Sequence, residues 1–174
     1  QVKKRVANST LVLTAQGPLE SELKKLVLDL GLSLEKDVVF TGALPFETLV
    51  NVYYSADLFV FSSVTETQGL VLIEAMAAGL PVVAVGAYGV QDMVDHEING
   101  LLTPLDMEAF SDAISSLLLD NQRYRQYQLN ARQKAESLSA GKMALKLEQL
   151  YQTLYDQSPP RYYRGFDLGR WLGS

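Results

Sequence analysis

The stretch DLFVFSSVTETQGLVLIEAMAAGLPVVAVG, residues Asp57 to Gly86, decides the reading of the fold. It opens with a continuous apolar run, passes through a polar loop, and continues as an apolar helical stretch closed by Gly79. Pro81 then leads into a second apolar run, PVVAVG. Strands without polar alternation are buried on both faces, as in a parallel sheet covered by helices. One charge, Glu74, stands in the apolar helix, and burying an unpaired carboxylate costs several kcal/mol. A second carboxylate, Glu66, lies in the loop TETQG beside Gly69.

The same rhythm extends in both directions. LVLTA (Leu11 to Ala15) reads as a buried strand ended by Gly17-Pro18. LESELKKLVLDLGL spaces Leu19, Leu23, Leu26 and Leu30 on one helical face and stops at Gly31. DVVFTG is a strand, and PFETLVNVYYSA opens a helix with Pro45. After Gly86, GVQDMVDHE reads as a short helix and NGLLTP as a turn feeding a strand. From Asp106 the chain is helical. MEAFSDAISSLLL carries Met107, Phe110, Ile114, Leu117 and Leu118 as its apolar residues. NQRYRQYQLNARQKAESLS is polar and is expected on the surface, and KMALKLEQLYQTLY repeats Met143, Leu147, Leu150 and Leu154. The prediction is an α/β fold, a Rossmann-like parallel sheet flanked by helices with a helical C-terminal segment. Residues 1–157 form its domain, and residues 158–174, broken at Pro159-Pro160, form an aromatic and basic tail.

Composition narrows the functions open to such a fold. The 174 residues suffice for one domain with a real core. Fifteen basic and 20 acidic residues give a net charge of −5, which is no footprint for nucleic acid. With no cysteine, disulfides, thiolate zinc sites and cysteine nucleophiles are excluded. No apolar run reaches the ~18 residues of a membrane span. The sequence shows no metal-ligand cluster. His96, the single histidine, lies in the polar turn DHEING and reads as exposed. The basic run Lys3 to Arg5 reads as a solvated terminus, and Asp57 as a turn former.

In parallel α/β sheets, ligands bind beyond the carboxyl ends of the strands, where TETQG lies. A helix N-terminus offers free backbone N–H groups to a phosphate, and Gly69 lets that phosphate approach closely. Thr67 and Gln68 add hydrogen bonds. Glu74, roughly 7 Å further along the helix axis, suits a neighbouring diol such as a ribose. The bland alternatives stay open. Glu74 can be a buried glutamate paired with an arginine, and Glu66 a solvated charge favourable at a helix start. Were the segment all helix, the two carboxyls would lie roughly 12 Å apart on different faces, which does not suit a glycosidase pair.

Taken together, ETQGLVLIE with its E-x7-E spacing, Gly17-Pro18, FTGALPFETL, ADLFVFSS, EAMAAGLPVVA, a glycine near Gly89, NGLLTP and the helix after Asp106 resemble, in order, the retaining GT-B glycosyltransferases called "glycosyl transferases group 1". The resemblance covers roughly residues 10 to 155. It implies the C-terminal, donor-nucleotide half of a two-domain enzyme. Glu74 then holds the ribose, and Gly69 with Thr67, Gln68 and Leu70 meets the donor diphosphate. Glu66 contacts the donor sugar and is tied to catalysis. The implied chemistry is retaining transfer of a hexose, by front-face attack assisted by the departing phosphate, with no metal and no cofactor. TETQG resembles enzymes that glucosylate diacylglycerol in bacterial membranes. That points to UDP-glucose as donor, a membrane lipid as acceptor, and a cytoplasmic place at the inner face of the membrane.

Two features depart from the family pattern. Members carry an Arg and a Lys upstream of the LVLTA strand that clamp the diphosphate, and Lys3, Lys4 and Arg5 do not match them. The chain is therefore expected to lack its first strand–helix unit as well as the N-terminal acceptor domain, and not to turn over substrate alone. Many members have Phe where Gln68 stands. In the tail, Arg161, Arg164 and Arg170 outweigh Asp167 beside Tyr162, Tyr163, Phe166 and Trp171. Such a tail suits either a membrane interface or packing on the N-terminal domain. A non-catalytic nucleotide-sugar-binding module and a membrane-interaction domain are the competing readings.

Overall fold

A computed structural model describes residues 1–157. In chain order the elements are α1 (Val2–Arg5), β1 (Leu11–Thr14), α2 (Glu20–Asp29), β2 (Val38–Gly42), α3 (Phe46–Ser55), β3 (Phe59–Phe61) and α4 (Leu70–Ala77). They continue as β4 (Val82–Val85), α5 (Val90–Met93), β5 (Gly100–Thr103), α6 (Met107–Leu119), α7 (Asn121–Ser137) and α8 (Ala140–Gln157). Strand and helix alternate as the apolar runs predict, and every strand pairing is parallel. The chain divides into two units, residues 1–135 and the residues from Glu136 onward. The aromatic and basic tail, 158–174, lies outside the described residues.

Local chemistry sets the element ends. Pro45 stands at the N-cap of α3, its fixed φ leading the chain into the first turn. Asp106 caps α6 by accepting the Ala109 N–H at 2.8 Å.

The core of the first unit is built on β4, buried at all four positions. Its side chains alternate between two faces. Val82 and Ala84 pack with Leu72, Met76, Val90, Val94, Ala131 and Ala135, whereas Val83 packs with Leu101, Ile114, Leu117 and Tyr127. Fully burying a Val, Leu or Met side chain contributes roughly 1.5–3 kcal/mol, so these two clusters carry the stability of the unit.

Three expectations are corrected here. The strands form two sheets, β1–β2 and β3–β4–β5, with no ladder between them. β1 is therefore not buried on both faces: among the described residues one edge of that strand has no neighbour, and Leu11 and Val12 are 41% and 43% exposed. α7 is polar in composition, yet it does not simply lie on the surface. Tyr127, Ala131 and Ala135 recur every four residues, so one narrow face of small and aromatic side chains reaches the core. Finally, the basic run at the N-terminus is not a loose end, although Lys4 and Arg5 stay exposed. Lys3 pairs with Asp37 at 2.7 Å and Arg5 with Asp112, while Val2 packs against the apolar cluster around Val83.

In the second unit, Ser139 N–H bonds the Glu136 carbonyl at 3.2 Å and Lys142 pairs with Glu136 at 2.9 Å before α8 begins its long run. α8 buries no residue, and Met143, Leu147, Leu150 and Leu154 form an exposed apolar stripe along it.

Candidate functional site

Because β3 and β4 run parallel, the loops that follow them leave the same end of the sheet. Residues 62–69 follow β3, and residues 86–89 follow β4. Glu66, Thr67, Gln68 and Gly69 close into one hydrogen-bonded nest. Oε1 of Glu66 accepts the backbone N–H groups of Thr67, Gln68 and Gly69 at 2.9, 3.0 and 3.0 Å. Three donors on one oxygen stabilise the charged form. They hold the Glu66 carboxyl below the usual carboxylate range, with the Gly69 amide the largest influence, then those of Gln68 and Thr67. Gly69 turns the chain into α4 with φ +62°, a left-handed conformation that favours glycine.

Glu74 does not sit where its apolar helix suggests. Its side of α4 is exposed, and no arginine among the described residues pairs with it. Its partner is Tyr53 on α3, whose phenol donates to Oε2 at 3.1 Å. Burial of that phenol, and then the bond to Glu74, push the Tyr53 pKa up to about 12. Tyr53 therefore stays protonated and keeps one carboxylate oxygen of Glu74 fixed. Glu74 stands outside the Glu66 nest, so the two glutamates are two separate contact points on one loop and helix.

Gly89 fixes the loop from below. Its φ is +79°, and a Cβ there would stand 2.7 Å from the Glu66 carbonyl oxygen and 2.9 Å from that of Thr67. The backbones after β3 and β4 thus meet with no side chain between them. Sequence reasoning noted a glycine here but not this contact, and it missed Tyr53 altogether. The doublet Tyr53-Tyr54 carries no signal for which ring faces another helix. Of the remaining candidates, Thr67, Gln68 and Leu70 are exposed and Gly69 is buried. The N–H groups of Leu70 and Val71 open the first turn of α4, where no intrahelical acceptor exists. His96 is exposed, and its Nδ1 accepts the Leu102 N–H at 2.9 Å, a structural contact. Among the described residues, no group of three or more His, Cys, Asp or Glu side chains is placed to hold a metal ion.

Comparison with known proteins defines the class. Residues 1–120 match the family model described as Glycosyl transferases group 1, and the chain belongs to that family. Over 115 residues it is 42% identical to a D-inositol 3-phosphate glycosyltransferase of Saccharomonospora viridis, covering 63% of this chain and 26% of that protein. Over 165 residues it is 32% identical to the D-inositol 3-phosphate glycosyltransferase of Corynebacterium kroppenstedtii, covering 91% of this chain and 36% of that protein. The fold matches the crystal structure of Anabaena Alr3699/HepE in complex with UDP-glucose, with a TM-score of 0.70 at 28% identity, over 88% of this chain and 43% of the other. The chain spans between 23% and 36% of the curated relatives it matches.

Proposed function

We propose that this chain is the donor half of a retaining hexosyltransferase that takes a nucleotide-diphosphate sugar, UDP-glucose, and passes its hexose to an acceptor, a membrane lipid. The observation that carries the reading is the pair of glutamates on one loop-and-helix unit at the carboxyl end of β3, one held in a backbone nest and the other presented to solvent by Tyr53. Membership of the family and the UDP-glucose complex of the Anabaena protein support it.

On this reading Glu74 accepts two hydrogen bonds from the ribose diol, its remaining lone pairs being free beside the Tyr53 contact. The amides of Leu70 and Val71, at the positive end of α4, meet the diphosphate with Gly69, Thr67 and Gln68 around it. Glu66, ionised in its nest, meets the hydroxyls of the hexose. The departing diphosphate takes the acceptor proton, and the protein's share is orientation and charge stabilisation. The reading gives no metal a role and places the enzyme peripherally at the inner face of the membrane. No helix among the described residues is long and apolar enough to cross one.

Calorimetric titration of UDP, GDP and ADP into the protein, beside Glu74→Ala, tests the reading. The expected outcome is selective binding of UDP that weakens by about tenfold or more in Glu74→Ala, the cost of losing bonds to a charged acceptor. Equal binding of all three nucleotides, or binding indifferent to Glu74→Ala, would overturn it.

A further inference from the structure

We infer that Tyr88 is a further ligand-contact residue of this site, an aromatic platform on which the C–H face of a pyranose rests beside Glu66. The place of the hexose at Glu66 rests on the proposed donor function. Tyr88 is 95% exposed, the most exposed large apolar side chain among the described residues. Tyrosine is a wide, stiff and amphipathic contact surface, apolar over its ring and polar at its tip. Here almost all of that surface is left open at the end of a strand.

Local bonding holds the ring out. Ala87, Tyr88, Gly89 and Val90 form a hydrogen-bonded turn: the Val90 N–H donates to the Ala87 carbonyl at 3.2 Å, and so does the Gln91 N–H. Gly89, third in the turn, has φ +79°, the left-handed value that a type II turn requires there. The start of the turn is anchored twice. The Gly86 N–H donates to the Thr103 carbonyl of β5 at 2.9 Å, and Nε2 of Gln91 donates to the Gly86 carbonyl at 2.9 Å. The backbone of Tyr88 is thus fixed before a ligand arrives, and only the two torsions of its side chain remain to be ordered.

The same turn sets where the ring stands. Tyr88 precedes Gly89, whose backbone lies so close to residues 62–69 that an added Cβ would stand 2.7 Å from the Glu66 carbonyl oxygen. From the other side, a Cβ on Gly69 would stand 3.6 Å from the Gly89 carbonyl oxygen. Tyr88 is therefore one residue, about 3.8 Å between Cα atoms, from the backbone that touches the Glu66 nest. Glu74 lies roughly 7 Å further along α4. On the donor reading, Tyr88 borders the hexose end of the nucleotide sugar and not its ribose end.

The chemistry of the two neighbours is complementary. Glu66 is an ionised acceptor suited to hydroxyl groups. The face of a tyrosine ring is electron-rich and attracts polarised C–H bonds, whereas it repels an anionic diphosphate. A pyranose carries both kinds of surface, hydroxyls around its rim and C–H bonds across its face. Where the hydroxyls are equatorial, as in glucose, that face is uninterrupted. Such a ring can lie on Tyr88 while its rim hydroxyls meet Glu66. The hexose of the donor and a sugar on an acceptor offer the same C–H face.

Ring 13C labelling of the tyrosines tests the platform, the Tyr88 signal being the one missing from Tyr88→Ala. UDP-glucose should shift this signal and UDP should not. By calorimetry, Tyr88→Ala should weaken UDP-glucose binding by about fivefold and leave UDP binding unchanged. Tyr88→Phe keeps the ring face and should bind UDP-glucose as the wild type does. The melting temperature should hold in both variants, since the exposed ring supports little of the fold. A loss shared equally by UDP and UDP-glucose, no loss in Tyr88→Ala, or a Phe variant as weak as the Ala variant would overturn the platform. Methyl α-D-glucopyranoside, added alone and with saturating UDP, separates the two sources. A Tyr88 shift with the glucoside and none with UDP-glucose would assign the platform to an acceptor sugar. The same shift in a protein that binds neither UDP nor UDP-glucose would sink the donor reading and leave the platform standing. A Tyr88 signal that no sugar moves would overturn the platform whatever UDP does.

Discussion

The phenolic oxygen of Tyr53 lies 3.1 Å from Oε2 of Glu74, joining α3 to α4 across 21 residues of sequence. The bond gives an exposed carboxylate a fixed orientation, which a glutamate on a helix surface otherwise lacks. Tyr53→Phe removes the donor and keeps the ring that packs against Phe59 at 6.0 Å. The expected result is a loss of about 1 kcal/mol in UDP binding, roughly fivefold in affinity, with the melting temperature little changed. Calorimetry beside a thermal melt checks both. A melting temperature that drops while UDP affinity holds would make Tyr53 a packing residue only.

Gly89 is where two loop backbones touch. In Gly89→Ala the new methyl would stand 2.7 Å from the Glu66 carbonyl oxygen, and the residue would keep a φ near +79°. Backbone strain of this kind costs roughly 1–3 kcal/mol. Urea unfolding should report that loss, and the amide resonances of Thr67 and Gln68 should shift with it. An unchanged midpoint would mean that the two loops separate at little cost.

Glu66 predicts an acid sensitivity. Its three backbone donors depress its folded pKa below the ordinary 4.5. The contribution to stability is therefore present above pH 4.5 and is lost as pH falls through the lower folded value. Asp37, held down chiefly by Lys3, acts in the same direction. Melting temperatures from pH 6 to pH 3 should fall less steeply in Glu66→Gln than in the wild type, because the amide oxygen accepts the same N–H groups without titrating. Parallel curves would show that the nest does not favour the ionised form.

The Lys3–Asp37 pair predicts a structural role for the first residues. Lys3 also donates to the Ser9 carbonyl at 2.9 Å, so its head group is held from two sides. Lys3→Met keeps most of the apolar stem and removes the charge. It should lower the melting temperature by less than Gly89→Ala does, and it should raise the Asp37 pKa, which carboxyl NMR titration reads directly. A stable variant with Asp37 unmoved would return α1 to the status of a loose end.

The sequence by itself determined the elements and their order. Apolar runs bounded by Gly and Pro, and leucines spaced at helical intervals, are local signals, and from β1 onward the strands and helices lie where those signals place them, whereas α1 was not foreseen. The two glutamates were legible for the same reason: Glu66 stands in a polar loop ahead of a glycine, and Glu74 interrupts an apolar helix. Tertiary structure alone decided the partners. Glu74 reads as buried because α4 is apolar, yet Leu72, Ala75 and Met76 use the inward face and leave Glu74 outside it, beside Tyr53. Glu66 meets its own loop amides because Gly69 takes a left-handed turn and Gly89 closes behind it. The separation of the described strands into two sheets, and the ion pairs of Lys3 with Asp37 and Arg5 with Asp112 that hold α1, depend on pairings distant in sequence, which no local pattern of residues encodes.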